Sequence, residues 1–160
     1  MSTGITDSTP PPGPVKSVAL TGHDPLQVID RFTEDQLHQL HALYQQECWT
    51  RGRTFMDSKK CVECSQICIR LIDGSGTLQG FARVLTDYVF KALVFDVIVV
   101  GDRRSTGLGN KLVSLVLSHA ALQRVKQVEL YCLPEMSGFY AKLGFSRNVG
   151  QVNLMRLENR

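Results

Sequence analysis

The residues best equipped for chemistry gather around one strand-to-helix turn, residues 97–112. An apolar β-type run, Val97-Ile-Val-Val100, leads into a short basic loop with two glycines and then into a helix. Gly107 and Gly109 let the backbone come close to a ligand without interference from a Cβ. The first N–H groups of a helix lack internal partners and sit at the positive end of its dipole, so the turn is built to hold an anion, most simply a pyrophosphate. Arg103, Arg104 and Lys111 add charge, and Ser105 and Thr106 add hydroxyl donors. Two familiar nucleotide patterns fail on spacing. The dinucleotide fingerprint needs a third glycine where Leu112 stands. The phosphate loop needs a Lys and a hydroxyl directly after its second glycine, but Gly109 is followed by Asn110 and Lys111. The pattern present is Arg104-x-x-Gly107-x-Gly109, and its plain alternative is an ordinary tight turn.

Other reactive side chains stand at defined distances from this turn. Asp96 interrupts an otherwise apolar run over residues 89–100. A buried carboxylate needs a partner or an altered pKa, so Asp96 either anchors neighbouring groups or serves as a general base. Asp87 and Glu135 are lesser base candidates. Tyr140 lies on a short apolar stripe with Met136, Phe139 and Leu143. Trp49, Arg51 and Arg53 follow a helix and suit either ligand recognition or packing, with an Arg stacked on the indole. Five cysteines, an odd number, argue against a disulfide framework. Cys61, Cys64 and Cys68 have no second paired cluster and read as core fillers, and the pair His38 and His41 reads as a solvated face, so no metal is expected.

These groups need a scaffold, and 160 residues, 43% hydrophobic and 21% charged, suffice for a single soluble domain with a substantial core. The net charge of +3 is small and scattered, which excludes a nucleic-acid surface. No run approaches the roughly 20 apolar residues of a membrane span, and no secretory pattern opens the chain, so a cytoplasmic protein without membrane attachment is expected. Residues 1–14 read as a disordered Pro/Ser/Thr-rich tail and residues 15–160 as the domain. One of residues 15–20 and 26–32, the second by preference, supplies the first strand. Thr33 and Gln36 form a capping box for a helix running to Trp49, and Asp57 caps a short second helix. Strands over residues 66–73, 77–86 and 89–100 follow, with a bulge or close approach at Gly80. The helix from Gly107 carries Leu108, Leu112, Leu115, Val116, His119 and Leu122. A strand at 126–133, a helix at 135–143 capped by Gly144, and a closing hairpin at 145–147 and 151–157 complete the order.

The turn pattern, this element order and a second segment, Phe139-Tyr-Ala-Lys-Leu-Gly-Phe145, together resemble the GNAT superfamily of acetyl-CoA-dependent N-acetyltransferases over residues 26–157. The resemblance implies an α/β (α+β) fold: a mixed, mostly antiparallel sheet of about six or seven strands, flanked by about four helices, with a V-shaped splay between the fourth and fifth strands. It implies that the backbone of Ile98, Val99 and Val100 pairs with the pantetheine arm. The N–H groups of Arg104, Ser105, Thr106, Gly107, Leu108, Gly109 and Asn110 would hold the pyrophosphate, with Lys111 nearby. An N–H near Ile98 or Val99 would stabilise the acetyl oxyanion, and Tyr140 would protonate the departing thiolate. Asp96 aligns with an acidic position of several members. Trp49, Arg51, Arg53 and Arg83 would bound the acceptor slot, and two Arg side chains there would suit an acceptor bearing a carboxylate or phosphate. Cys132 replaces an Asn common in the family, and Gly101-Asp102 replaces a frequent Pro. A covalent role for Cys132 is not expected, because no His is placed to activate it. The implied reaction is direct attack by a primary amine, a small molecule in preference to a protein lysine or N-terminus. A non-catalytic acyl-CoA-binding protein and transfer of a longer acyl chain are alternatives. The resemblance also allows a homodimer through the closing strands.

Overall fold

The computed structural model describes residues 16–20, 23–29 and 31–158. The expected N-terminal tail lies outside them. Both early apolar segments are strands: β1 (Lys16–Leu20) and β2 (His23–Ile29) pair antiparallel, where only one strand was expected. Then come α1 (Glu34–Gln46), α2 (Phe55–Glu63), β3 (Ile67–Ile72), β4 (Leu78–Thr86), β5 (Lys91–Val99), α3 (Leu108–Leu117), β6 (Gln127–Leu130) and α4 (Ser137–Ala141). The six strands form one sheet in chain order, antiparallel from β1 to β5 and parallel between β5 and β6.

Local signals set several of these boundaries. Thr33 Oγ1 accepts from the Gln36 N–H at 3.2 Å, and Gln36 Oε1 accepts from the Thr33 N–H at 3.0 Å, which closes the predicted capping box. The second helix is capped by Thr54, not Asp57. Asp57 sits three residues on and completes the box from the helix side, a geometry that uses a hydroxyl first and a carboxylate second. The first helix ends at Gln46, short of Trp49. The third ends at Leu117, so His119 leaves the apolar stripe and instead caps the following turn. Residues 145–157 form no strand; Phe145 is half-buried against Tyr140, and Val149, Val152, Leu154, Met155 and Leu157 are exposed. Alternation marks a strand only where an edge is taken, and this segment has no such pairing among the described residues.

Helices cover both faces of the sheet. On one face α3 packs Leu108, Leu112 and Val116 against Ile67, Ile69, Leu71, Ala82, Val84, Ala92 and Val94. On the other, α1 packs Leu37, Leu40, Leu43 and Tyr44 against Ile72, Leu78, Phe81 and Ile98. Period-two alternation assigns the strand residues to the two cores, and two bulges shift it. Leu71 pairs Gly80 while Ile72 pairs Leu78, so the first bulge falls at Gln79, beside the glycine expected to mark it. In the second, Phe81 pairs Ile98 but Arg83 pairs Phe95, which inserts an extra residue at 96–97.

Leu40 is fully buried in the α1 core. Leu40→Ala is expected to lower stability by about 2–5 kcal/mol in urea unfolding. Met155→Ala, at a residue 91% exposed, is expected to stay within about 0.5 kcal/mol. A comparable loss at Met155 would show that the C-terminal segment packs.

Candidate active site

β5 pairs β4 along one edge, but on the other its ladder with β6 stops at Val94–Leu130. From Phe95 to Val99 that edge carries no strand partner among the described residues, which is the expected splay, here between β5 and β6 because both early segments are strands. The Val100 N–H donates to the Gln79 carbonyl at 3.1 Å, so Val100 faces β4. By period two Ile98 faces β4 as well, and Val97 and Val99 face the open edge. The Val99 carbonyl confirms its side by accepting from Arg104 Nε at 3.3 Å. Of the three residues expected to meet an extended ligand, Val99 therefore presents its backbone to the slot. Ile98 and Val100 do not, and Val97, which the sequence reading passed over, does.

The turn follows directly. Residues 101–103 make one tight helical turn, and the Thr106 hydroxyl donates to the Arg103 carbonyl at 2.7 Å. Ser105 (φ 63°) and Gly107 (φ 89°) are left-handed. Glycine is needed at 107 for that conformation, whereas at Gly109 a Cβ would only touch the Phe139 ring, 3.4 Å from Cζ. Lys111 donates the first intrahelical bond, to Gly107, at 3.1 Å. The N–H groups of Leu108, Gly109 and Asn110 precede it. With Arg103, Arg104 and Lys111 around them, these donors fit a pyrophosphate. Arg103 Nη1 is moreover buried without a hydrogen-bond partner among the described residues.

The second bulge places Asp96 (φ 52°) on the α1 side. Its side chain is 3% exposed. Asp96 Oδ2 accepts from Arg83 Nε at 2.6 Å, Arg53 Nη1 at 2.8 Å and the Tyr44 hydroxyl at 2.9 Å, and Oδ1 accepts from Arg53 Nη2 at 3.1 Å. The Arg53 guanidinium also lies over the Tyr44 ring, and that of Arg83 over Phe95. Burial opposes ionisation of Asp96, but the hydrogen bonds from Arg53 and Arg83 outweigh it and hold the carboxyl below its ordinary range. Burial and the Asp96 charge push the Tyr44 phenol up. A carboxylate held this way is a poor proton acceptor and a strong anchor. The same contacts occupy the Arg53 fork and Arg83 Nε, leaving Arg51, which is exposed, as the freer cation of the acceptor set.

α4 brings Tyr140 beside the end of β6. A groove of about 1290 Å³ runs along Leu130, Tyr131, Cys132, Ser137 and Tyr140. Tyr140 is 8% exposed, edge-on to Phe139 and Phe145. Its hydroxyl has no hydrogen-bond partner among the described residues. Burial, helped by Cys132, pushes its pKa up to about 12, so it keeps its proton at neutral pH. Cys132 is an exposed free thiol with Sγ 4.0 Å from Ser137 Oγ. Asp87 caps the β4–β5 turn through the N–H groups of Val89, Phe90 and Lys91, and Glu135 is exposed. His38 stacks on Phe55, and His41 Nδ1 meets Ser58 Oγ at 2.9 Å. One residue had no signal in the sequence: Glu47, a buried carboxylate just past α1, is ion-paired with Arg104.

The sequence profile of the acetyltransferase (GNAT) family matches residues 33–145. The chain belongs to this family. An uncharacterized N-acetyltransferase, ycf52, of Pyropia yezoensis is 30% identical over 115 residues, 70% of this chain and 66% of its own length. The matched region thus spans just under two thirds of that relative. Serotonin N-acetyltransferase 2, chloroplastic, of Oryza sativa subsp. japonica is 32% identical over 92 residues, 55% of this chain and 46% of the relative. Among solved structures, a GNAT-family protein of Xanthomonas campestris pv. campestris superposes with TM-score 0.70 at 25% identity, covering 84% of this chain and 93% of that one.

The Asp96 anchor has a pH signature. Its folded pKa lies below the unfolded value near 3.9, so its stabilisation is complete above that value and is lost as pH falls through the folded one. Asp96→Asn is expected to lower stability by about 3–5 kcal/mol by stranding the two guanidinium groups. It should also flatten the decline of the urea midpoint as pH falls below about 4, the unfolded carboxylate value. Equal slopes for variant and wild type would show that Asp96 is not held by this cluster.

Proposed function

We propose that the chain transfers the acetyl group of acetyl-CoA to a small primary amine by direct attack, with both substrates bound together. The observation that carries this reading is the unpaired edge of β5, continuous at one end with the left-handed turn of α3, together with a protonated Tyr140 in the groove beside β6. When bound, acetyl-CoA supplies an acyl group activated as a thioester. Val97 and Val99 offer backbone N–H and C=O groups to its arm as an added strand would. An N–H at this edge donates to the acyl oxygen where negative charge develops. The N–H groups from Arg104 to Asn110, with Arg103, Arg104 and Lys111, hold the pyrophosphate. Tyr140 holds a proton for the leaving sulfur. Asp96 fixes the bulge that turns Val97 and Val99 toward the slot, and the amine loses its proton to water. Trp49 and Arg51 bound the acceptor end. Two relatives support a small acceptor by their names, the rice serotonin N-acetyltransferase and a rice glucosamine 6-phosphate N-acetyltransferase that is 39% identical over 61 residues.

Calorimetric titration with acetyl-CoA and CoA tests the phosphate turn. Binding near micromolar Kd, about −8 kcal/mol, is expected for the wild type. Arg104→Glu and Gly107→Val are each expected to weaken it at least about 100-fold, the first by charge reversal and the second by forbidding the left-handed φ. No binding of any acyl-CoA to the wild type would overturn the reading. On an amine panel followed by thiol release, Tyr140→Phe is expected to lower kcat about 100-fold or more with little change in acetyl-CoA affinity. An unchanged kcat would remove Tyr140 from the reaction.

A further inference from the structure

The turn after α1 is compact and made by its own backbone. The Glu47 N–H donates to the Tyr44 carbonyl, the Glu47 carbonyl accepts from the N–H groups of Thr50 and Arg51, and the Thr50 carbonyl accepts from the Arg53 N–H. The Thr50 hydroxyl donates to the Tyr44 carbonyl at 2.7 Å, and Gln45 Nε2 donates to the Arg53 carbonyl at 2.8 Å. Residues 47–53 therefore form a short strap whose internal shape is fixed. Each end is clamped to a different part of β5 and its turn. Arg53 grips Asp96 at the bulge, and Glu47 pairs with Arg104 in the phosphate turn. Between the clamps Trp49 and Arg51 project outward, Trp49 at 49% exposure.

The two clamps differ in kind. The Asp96 clamp is buried and saturated with donors. In the other, the Glu47 side chain is 11% exposed while that of Arg104 is 54% exposed. A carboxylate so withdrawn from water depends on its cation. Arg104 has donors to spare, because Nε serves the Val99 carbonyl and Nη2 serves Glu47, while Nη1 makes no hydrogen bond among the described residues. A guanidinium carries five N–H groups in a flat fork, so Arg104 can add a phosphate oxygen without releasing Glu47.

We propose that Glu47 is a positioning residue for the acceptor: through Arg104 it ties the strap bearing Trp49 and Arg51 to the phosphate turn, so that a pyrophosphate bound there holds the acceptor wall in place. This rests on the functional reading above. The acceptor wall is then firm when the phosphate turn is filled and looser when it is empty, which favours binding of the acyl donor first.

Trp49 is the chain's single tryptophan, so intrinsic fluorescence reads the strap directly. The test is acrylamide quenching of Trp49 in the wild type and in Glu47→Gln, each titrated with CoA, with calorimetry run in parallel to measure occupancy. In the wild type, saturating CoA is expected to cut the quenching constant about twofold. In Glu47→Gln, CoA affinity is expected to stay within about fivefold, the range of one partly exposed ion pair, while the protection of Trp49 disappears. A role in stability alone would not separate those two readouts. Protection that persists undiminished in Glu47→Gln overturns the proposal. So does wild-type protein that binds CoA by heat yet leaves Trp49 quenching unchanged, a result that stands even if the variant does not fold. Absence of any CoA heat in the wild type would instead overturn the functional reading, and this coupling with it.

Discussion

The site depends on one buried carboxylate. Asp96 enters the interior as an extra residue in β5, and its charge is balanced there by Arg53, Arg83 and the Tyr44 hydroxyl. The three donors come from the turn after α1, from β4 and from α1, so a single anion joins the helical layer to the middle of the sheet. Removing water from a carboxylate is unfavourable by several kcal/mol, and only this complete set of partners offsets it. The bulge, the strap and the direction of the β5 backbone are consequences of that balance.

The bulge gives β5 two registers of exposure. Ahead of it, Ala92 and Val94 point to the α3 core. Beyond it, Val97 and Val99 point that way and Ile98 points to the α1 core. Phe95 and Asp96, neighbours in sequence, share the α1 face, where each meets Arg83. One strand therefore serves both cores, anchors an internal charge and still leaves its far edge open for a ligand.

Much of this was legible in the sequence because it rests on local chemistry. The Thr33–Gln36 box, the strand with apolar residues on both faces, the glycine-bearing turn into α3 and the apolar stripe that carries Phe139 and Tyr140 each follow from residue type at short spacing. What was not legible depends on pairing. Val97, Ile98, Val99 and Val100 are all apolar, so no alternation reveals which of them face the slot, and the answer turns on an inserted residue at Asp96. Arg53 and Arg83 read as free cations until their shared carboxylate is seen. Glu47 is an ordinary glutamate beyond a helix until it is found buried against Arg104, 57 residues away. The alternation in residues 151–157 resembles a strand, but alternation describes a face, and only an available edge makes it part of a sheet.

The contact between Gly109 and Phe139 fixes a length. Phe139 lies against the first turn of α3, and the next residue along α4 is Tyr140. The first amides of α3 and the phenol are thus brought near one another where glycine meets an aromatic ring. Under the proposed chemistry this contact acts as a ruler for the donor, measuring the span from its phosphates to its sulfur. The acyl group beyond the sulfur lies outside that measurement. Under the same chemistry the donor's handle would be held to one size, while the cargo would vary with the walls of the slot.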